Sequence, residues 1–156
     1  NGELKGGTGI EKTKSNAFKL KDLMFYIQAG RDLTGSEDFV NVWEDLIKES
    51  DYTFYMVDCS RVFHNETSYI QLIEKQLSLI GKLYEKEKRT DKVNIVCVFS
   101  DKVNEFINNK TEFEKNIKLY LNRAFNHVDC YVFVGSLQND DYKQELVYNM
   151  LKTIKS

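Results

Sequence analysis

Residues 22–60 alternate between two incompatible hydrophobic periods, and that alternation restricts the fold more than any other feature of the chain. The segment reads DLMFYIQ, AGRDLTGS, EDFVNVWEDLIKES, DYTFYMVDCS. Leu23, Met24, Phe25, Tyr26 and Ile27 form a short continuous apolar run, the pattern of a strand covered on both faces. Ala29-Gly30 stops it. Phe39, Val40, Trp43, Leu46 and Ile47 then recur at helical spacing and give one apolar stripe. Ser36 is the N-cap candidate, with Glu37 and Asp38 in the first turn, where the helix dipole favours anions. Residues 53–58 read as the next buried strand and end on Asp58. A strand–helix–strand unit of this kind places its turns where α/β proteins bind ligands.

The rest of the chain repeats the alternation. Residues 17–20 (AFKL) are a strand candidate joined to the next by two residues, which predicts an antiparallel hairpin. A long helix capped at Asn65 or Thr67 carries Ile70, Ile73, Leu77, Ile80 and Tyr84 inward. Residues 93–99 (VNIVCVF) are the most strand-like run and predict a central parallel strand. A short helix or turn follows over 101–108. Thr111 is the cap candidate of the next helix, with Glu114 as its capping-box partner and Phe113, Ile117, Tyr120 and Leu121 inward. Residues 130–134 form the last strand, stopped by Gly135-Ser136. Asp140 or Asp141 opens a final helix whose inward positions are Leu146, Met150, Leu151 and Ile154. Parallel strands joined by helices imply a doubly wound, mostly parallel α/β sheet with one antiparallel edge strand. The length of 156 residues suits a single domain spanning 1–156.

Composition excludes several classes. A net charge of −2 with lysines spread along helices leaves no electrostatic footprint for nucleic acid. No apolar run approaches bilayer length, and no signal peptide opens the chain. Cys59, Cys97 and Cys130 fall in or beside predicted strands, and no C-x-x-C pair occurs. They read as reduced core residues of a cytoplasmic protein, with neither a disulfide framework nor a structural zinc site. His64 and His127 have no metal-ligand spacing, and no nucleophile–base pair is identifiable.

The strand ends carry a further pattern. Thr8-Gly9 precedes the hairpin, Ala29-Gly30-Arg31 follows it, Trp43 lies in a helix leading to a YMVD strand, Asp101-Lys102-Val103-Asn104 follows the strongest strand, and Gly135-Ser136-Leu137 follows the last. In this order they resemble the Ras-like, and especially the Arf-like, P-loop GTPases from the first switch onward. The resemblance implies a guanine nucleotide with Mg2+ as cofactors. It puts Thr8 at the magnesium-holding threonine and Gly30 at the second switch, with Arg31 where the family has its water-positioning glutamine. It puts Asp101, Lys102, Asn104 and Ser136 around the base. Ile27 and Arg31 replace the family's aspartate and glutamine, which counts against hydrolysis. In DKVN the family's amide and carboxylate have changed places. Asn104 offers one acceptor and one donor, where a carboxylate would accept two bonds from guanine.

The phosphate loop is the missing motif. Residues 6–13 read GGTGIEKT, one position away from G-x-x-x-x-G-K-[ST], but Glu11 would repel phosphate and no strand precedes it. The expected first strand, phosphate loop and first helix then belong to a longer protein or lie outside this sequence. The functional expectation is a GTPase-like or pseudo-GTPase switch or scaffold domain in a larger regulatory protein, with protein partners. The alternative is an α/β protein-interaction module that binds no nucleotide.

Overall fold

The computed structural model describes residues 11–12, 16–20, 23–27, 31–32, 40–124, 129–138 and 140–154. They fall into two compact units, Asn1–Trp43 and Glu44–Ser156. In the first, β2 (Asn16–Leu20) and β3 (Leu23–Ile27) pair antiparallel, with Ala17 opposite Tyr26 and Leu20 opposite Leu23. This is the antiparallel pairing expected of the two runs. A second, minimal pairing joins β1 (Glu11–Lys12) to β4 (Arg31–Asp32), with Lys12 opposite Arg31. Ser36 and Phe39 lie outside the described residues.

In the second unit, β5 (Phe54–Asp58), β6 (Val93–Val98) and β7 (Cys130–Val134) form a parallel sheet in the order β5-β6-β7. The helices are α1 (Val40–Glu49, which begins at the end of the first unit), α2 (Cys59–Phe63), α3 (Thr67–Lys86), α4 (Asn104–Asn108), α5 (Lys110–Ala124) and α6 (Asp140–Ile154). Every residue of β6 is buried, as its central place requires, including the polar Asn94, whose Nδ2 donates to Thr53 O at 3.2 Å. Val96, Val98 and Leu146 form a core cluster on one face, with Phe99, Phe133 and Met150 packed against it.

Three expectations are corrected. The parallel sheet holds three strands among the described residues. The run over 23–27 pairs in a two-stranded sheet with β2 instead of joining the parallel one, and no antiparallel edge strand is seen on the latter. Second, β5 is not buried on both faces. Val57 is fully buried, while Phe54 and Met56 are 38% and 49% exposed. The reason is position: β5 is an edge strand of this sheet, and the cluster on that face is centred on β6 and Leu146 of α6. Third, Asn109 rather than Thr111 caps α5, its Oδ1 accepting from the Glu112 N–H at 3.2 Å. Asparagine serves this role as well as threonine, so sequence alone does not separate neighbouring candidates.

Candidate functional site

Because β5, β6 and β7 are parallel, their carboxyl ends emerge on one edge of the sheet. The first turn there belongs to Asp58. Its Oδ1 accepts from Ser60 N–H at 3.0 Å, Ser60 Oγ at 2.6 Å and Arg61 N–H at 3.4 Å, so the carboxylate is occupied in capping α2. Its own N–H donates to Tyr69 Oη at 2.7 Å. The Cys59 thiol donates to Val98 O at 2.9 Å. Burial, and then the charge of Asp58, push its pKa up to about 12, so it is an inert thiol at neutral pH.

The second turn follows β6. Phe99 has φ 62° and ψ 26°, the left-handed region, and leads into a 3-10 turn over Ser100–Lys102. That conformation costs a side-chain-bearing residue about 1–2 kcal/mol. The Lys102 Nζ lies over the Phe99 ring, 3.9 Å from its centroid, a close cation–π contact. Ser100 is fully buried, and neither its Oγ nor the buried Oδ1 of Asp101 has a hydrogen-bond partner.

The third turn follows β7. Gly135 N–H donates to Cys97 O at 2.9 Å, and Ser100 N–H donates to Gly135 O at 3.3 Å. These bonds tie the turns after β6 and β7 together. Ser136 is fully buried, and its Oγ accepts from Gln138 N–H at 3.1 Å. The expected base-site residues are therefore brought to one edge but in different states. Lys102 and Asn104 are exposed, Asp101 is half-buried, and Ser136 is engaged within its own turn. Arg31 lies in β4, in the other unit. Gly30 and Thr8 lie outside the described residues.

Among the described residues no group of three or more His, Cys, Asp or Glu could hold a metal ion. At the opposite, amino-terminal edge of the sheet lies an open hollow of about 590 Å3 lined by Ser78, Lys82, Arg89, Asp91 and Asp129 among others. Its charges are largely matched: Arg89 pairs with Asp91, and Asp129 pairs with Lys92. Sequence reading missed Phe99, because nothing in VCVFSD signals a left-handed aromatic residue, a backbone state rare for bulky side chains.

No protein-family model and no curated protein matches the chain. No helix among the described residues is long and apolar enough to cross a membrane.

Proposed function

We propose that the Glu44–Ser156 unit is the base-binding side of a GTPase-like nucleotide-binding domain. The domain acts as a switch or, its motifs being degenerate, as a scaffold within a larger regulatory protein of the cytoplasm. The observation that carries the reading is the Ser100–Gly135 hydrogen bond. It holds the Asp101-Lys102-Val103-Asn104 turn beside Gly135-Ser136 at the carboxyl edge of a parallel sheet, the place where α/β folds take planar ligands. Lys102 would lay its aliphatic stem along the base, and Asn104 would present an amide to its edge. Thr8, which the resemblance implies at the magnesium, lies outside the described residues. In doubly wound sheets the first strand lies in the interior of the sheet rather than at its edge. The uncovered side chains of Phe54 and Met56 on β5 fit a sheet that continues beyond this strand.

One observation favours a second reading. Tyr52, Phe54 and Met56 are all exposed on alternate positions at the β5 edge, a composition that suits docking of a protein partner without nucleotide. Calorimetric titration of GDP, GTP and xanthosine diphosphate, with magnesium, into the full-length protein and its Asn104→Asp variant separates the two. The nucleotide reading expects heat with the wild type and tighter guanine binding by the variant. Silence from both proteins toward every nucleotide, with their melts intact, leaves the interaction module.

A further inference from the structure

We infer that the free edge of β5 pairs antiparallel with the same edge of a second copy of this chain, joining two parallel sheets into one. The inference rests on the docking reading above and names its partner. In a parallel ladder, alternate residues of a strand bond to a given neighbour. Asn94 N–H donates to Thr53 O at 2.9 Å, and the register sets Phe54 beside Asn94 and Met56 beside Val96. Thr53, Tyr55 and Val57 therefore turn their backbone groups to β6, while Phe54, Met56 and Asp58 turn theirs outward. The Asp58 N–H is taken by Tyr69 Oη at 2.7 Å, which closes the edge at that end. Phe54 and Met56 are left with N–H and C=O groups that meet no partner among the described residues. The same two residues carry exposed apolar side chains. The β7 edge differs, because its outward-turned residues, Cys130, Val132 and Val134, have half-buried or buried side chains.

The spacing of these groups selects the occupant. A two-fold axis through Tyr55 sets Phe54 opposite Met56 of the second copy, and Met56 opposite its Phe54. Each outward N–H then donates to an outward C=O, and none of these groups on either strand is left over. Phe54 and the facing Met56 share one face of the joined sheet, a thioether–aromatic cross-strand pair. Charge does not oppose the pairing. Asp58 is the one charged residue of β5; the axis sets it opposite Tyr52, and its carboxylate is turned into the α2 cap. Edges that stay single are blunted by lysine, proline or a bulge. β5 has neither residue, and its register against β6 is unbroken. Phe54 and Met56 from each copy fall short of the roughly 1,200 Å2 of a stable interface, so the dimer is weak, with a Kd on the order of 100 µM.

The test is amide hydrogen exchange with sedimentation equilibrium on the full-length protein, from about 10 µM to about 1 mM, a range that spans that Kd. By mass action the Phe54 and Met56 amides should exchange about fourfold more slowly at the top of the range. The Tyr55 and Val57 amides, bonded to β6, should stay protected throughout. Met56→Pro removes an outward N–H that β6 does not use, and an edge strand tolerates proline there. That variant should keep its melt and sediment as a monomer at the highest concentration. Met56→Lys, which leaves the backbone whole and puts a charge on the edge, should do the same. Fast exchange of Phe54 and Met56 at every concentration overturns the dimer and leaves the edge open to another protein. Protection at every concentration in a monomer overturns the dimer and the docking reading together, since the chain then covers its own edge. A dimer that persists in either folded variant also overturns the pairing.

Discussion

Arg89 and Asp91 form a two-pronged ion pair in the connection between α3 and β6, with Nη2 to Oδ2 at 2.7 Å and Nε facing Oδ1. The same guanidinium donates to the carbonyls of Ile47, Ser50 and Asp51, which closes the carboxyl end of α1. With its side chain 14% exposed, Arg89 joins one helix end to the start of the central strand. Lysine cannot reproduce a planar fork that serves five acceptor contacts. Arg89→Lys should cost about 1.5–3 kcal/mol in a urea melt, the scale of losing hydrogen bonds made by a charged group.

The same pair sets a pH dependence. The hydrogen bond from Arg89, ahead of its charge, holds the Asp91 carboxyl below its usual range. A depressed carboxyl contributes stability above its unfolded value near 3.9, and loses it as pH falls through the folded value. The stability gap between wild type and Asp91→Asn should be full at pH 7 and close below about pH 4, that same unfolded value. Urea midpoints at several pH values measure it.

Helix α1 separates a buried from a half-buried apolar position. Ile47 is buried, whereas Trp43 is only partly covered and its buried Nε1 has no acceptor. Ile47→Ala should therefore lose about 2–4 kcal/mol. Trp43→Phe removes an unpaired donor and should change stability by less than about 1 kcal/mol. Denaturant melts of the two variants test the contrast.

Gly135 is tight for a reason unrelated to backbone freedom. A Cβ there would come within 3.0 Å of Leu146 Cβ and 3.2 Å of its Cδ2. Gly135→Ala should push α6 outward and cost about 1–3 kcal/mol. Trimming Leu146 to valine in the same chain should recover part of the loss in a thermal melt.

Asp58 tests the assignment of roles at the carboxyl edge. Its carboxylate caps α2, so Asp58→Ala should lower stability by about 1–2 kcal/mol. On the nucleotide reading proposed above, GDP affinity titrated well below the melt should stay at the wild-type value.

The central features of the Glu44–Ser156 unit were legible because their signals are periodic. VNIVCVF can be buried on both faces only as an interior strand, and β6 is one. Ile73, Leu77, Ile80 and Tyr84 recur at helical spacing, and all are buried on α3. The exposure of Phe54 and Met56 was not legible, because TFYMVD has the composition of a covered strand whatever lies beside it. The α2 turn was missed for another reason: CSRVF is too short for a helical period to show, and its start depends on the Asp58 cap. At the site, sequence placed Lys102, Asn104 and Ser136 on one edge. It could not tell that Ser136 is sealed while Lys102 lies across Phe99, since both depend on turn geometry.

The order β5-β6-β7 also bears on how the protein is made. Strands β6 and β7 each hydrogen-bond to the strand that precedes them in the chain, across a connection of two or more helical segments. No strand of this sheet must wait for a distant partner, so the loop-closure cost of assembly is met in small instalments. A chain emerging from the ribosome can add β6 to β5, then β7 to β6, with the Cys97-to-Gly135 and Ser100-to-Gly135 bonds closing last. The carboxyl edge of the sheet is thus completed only when the final strand arrives, late in the synthesis of this unit.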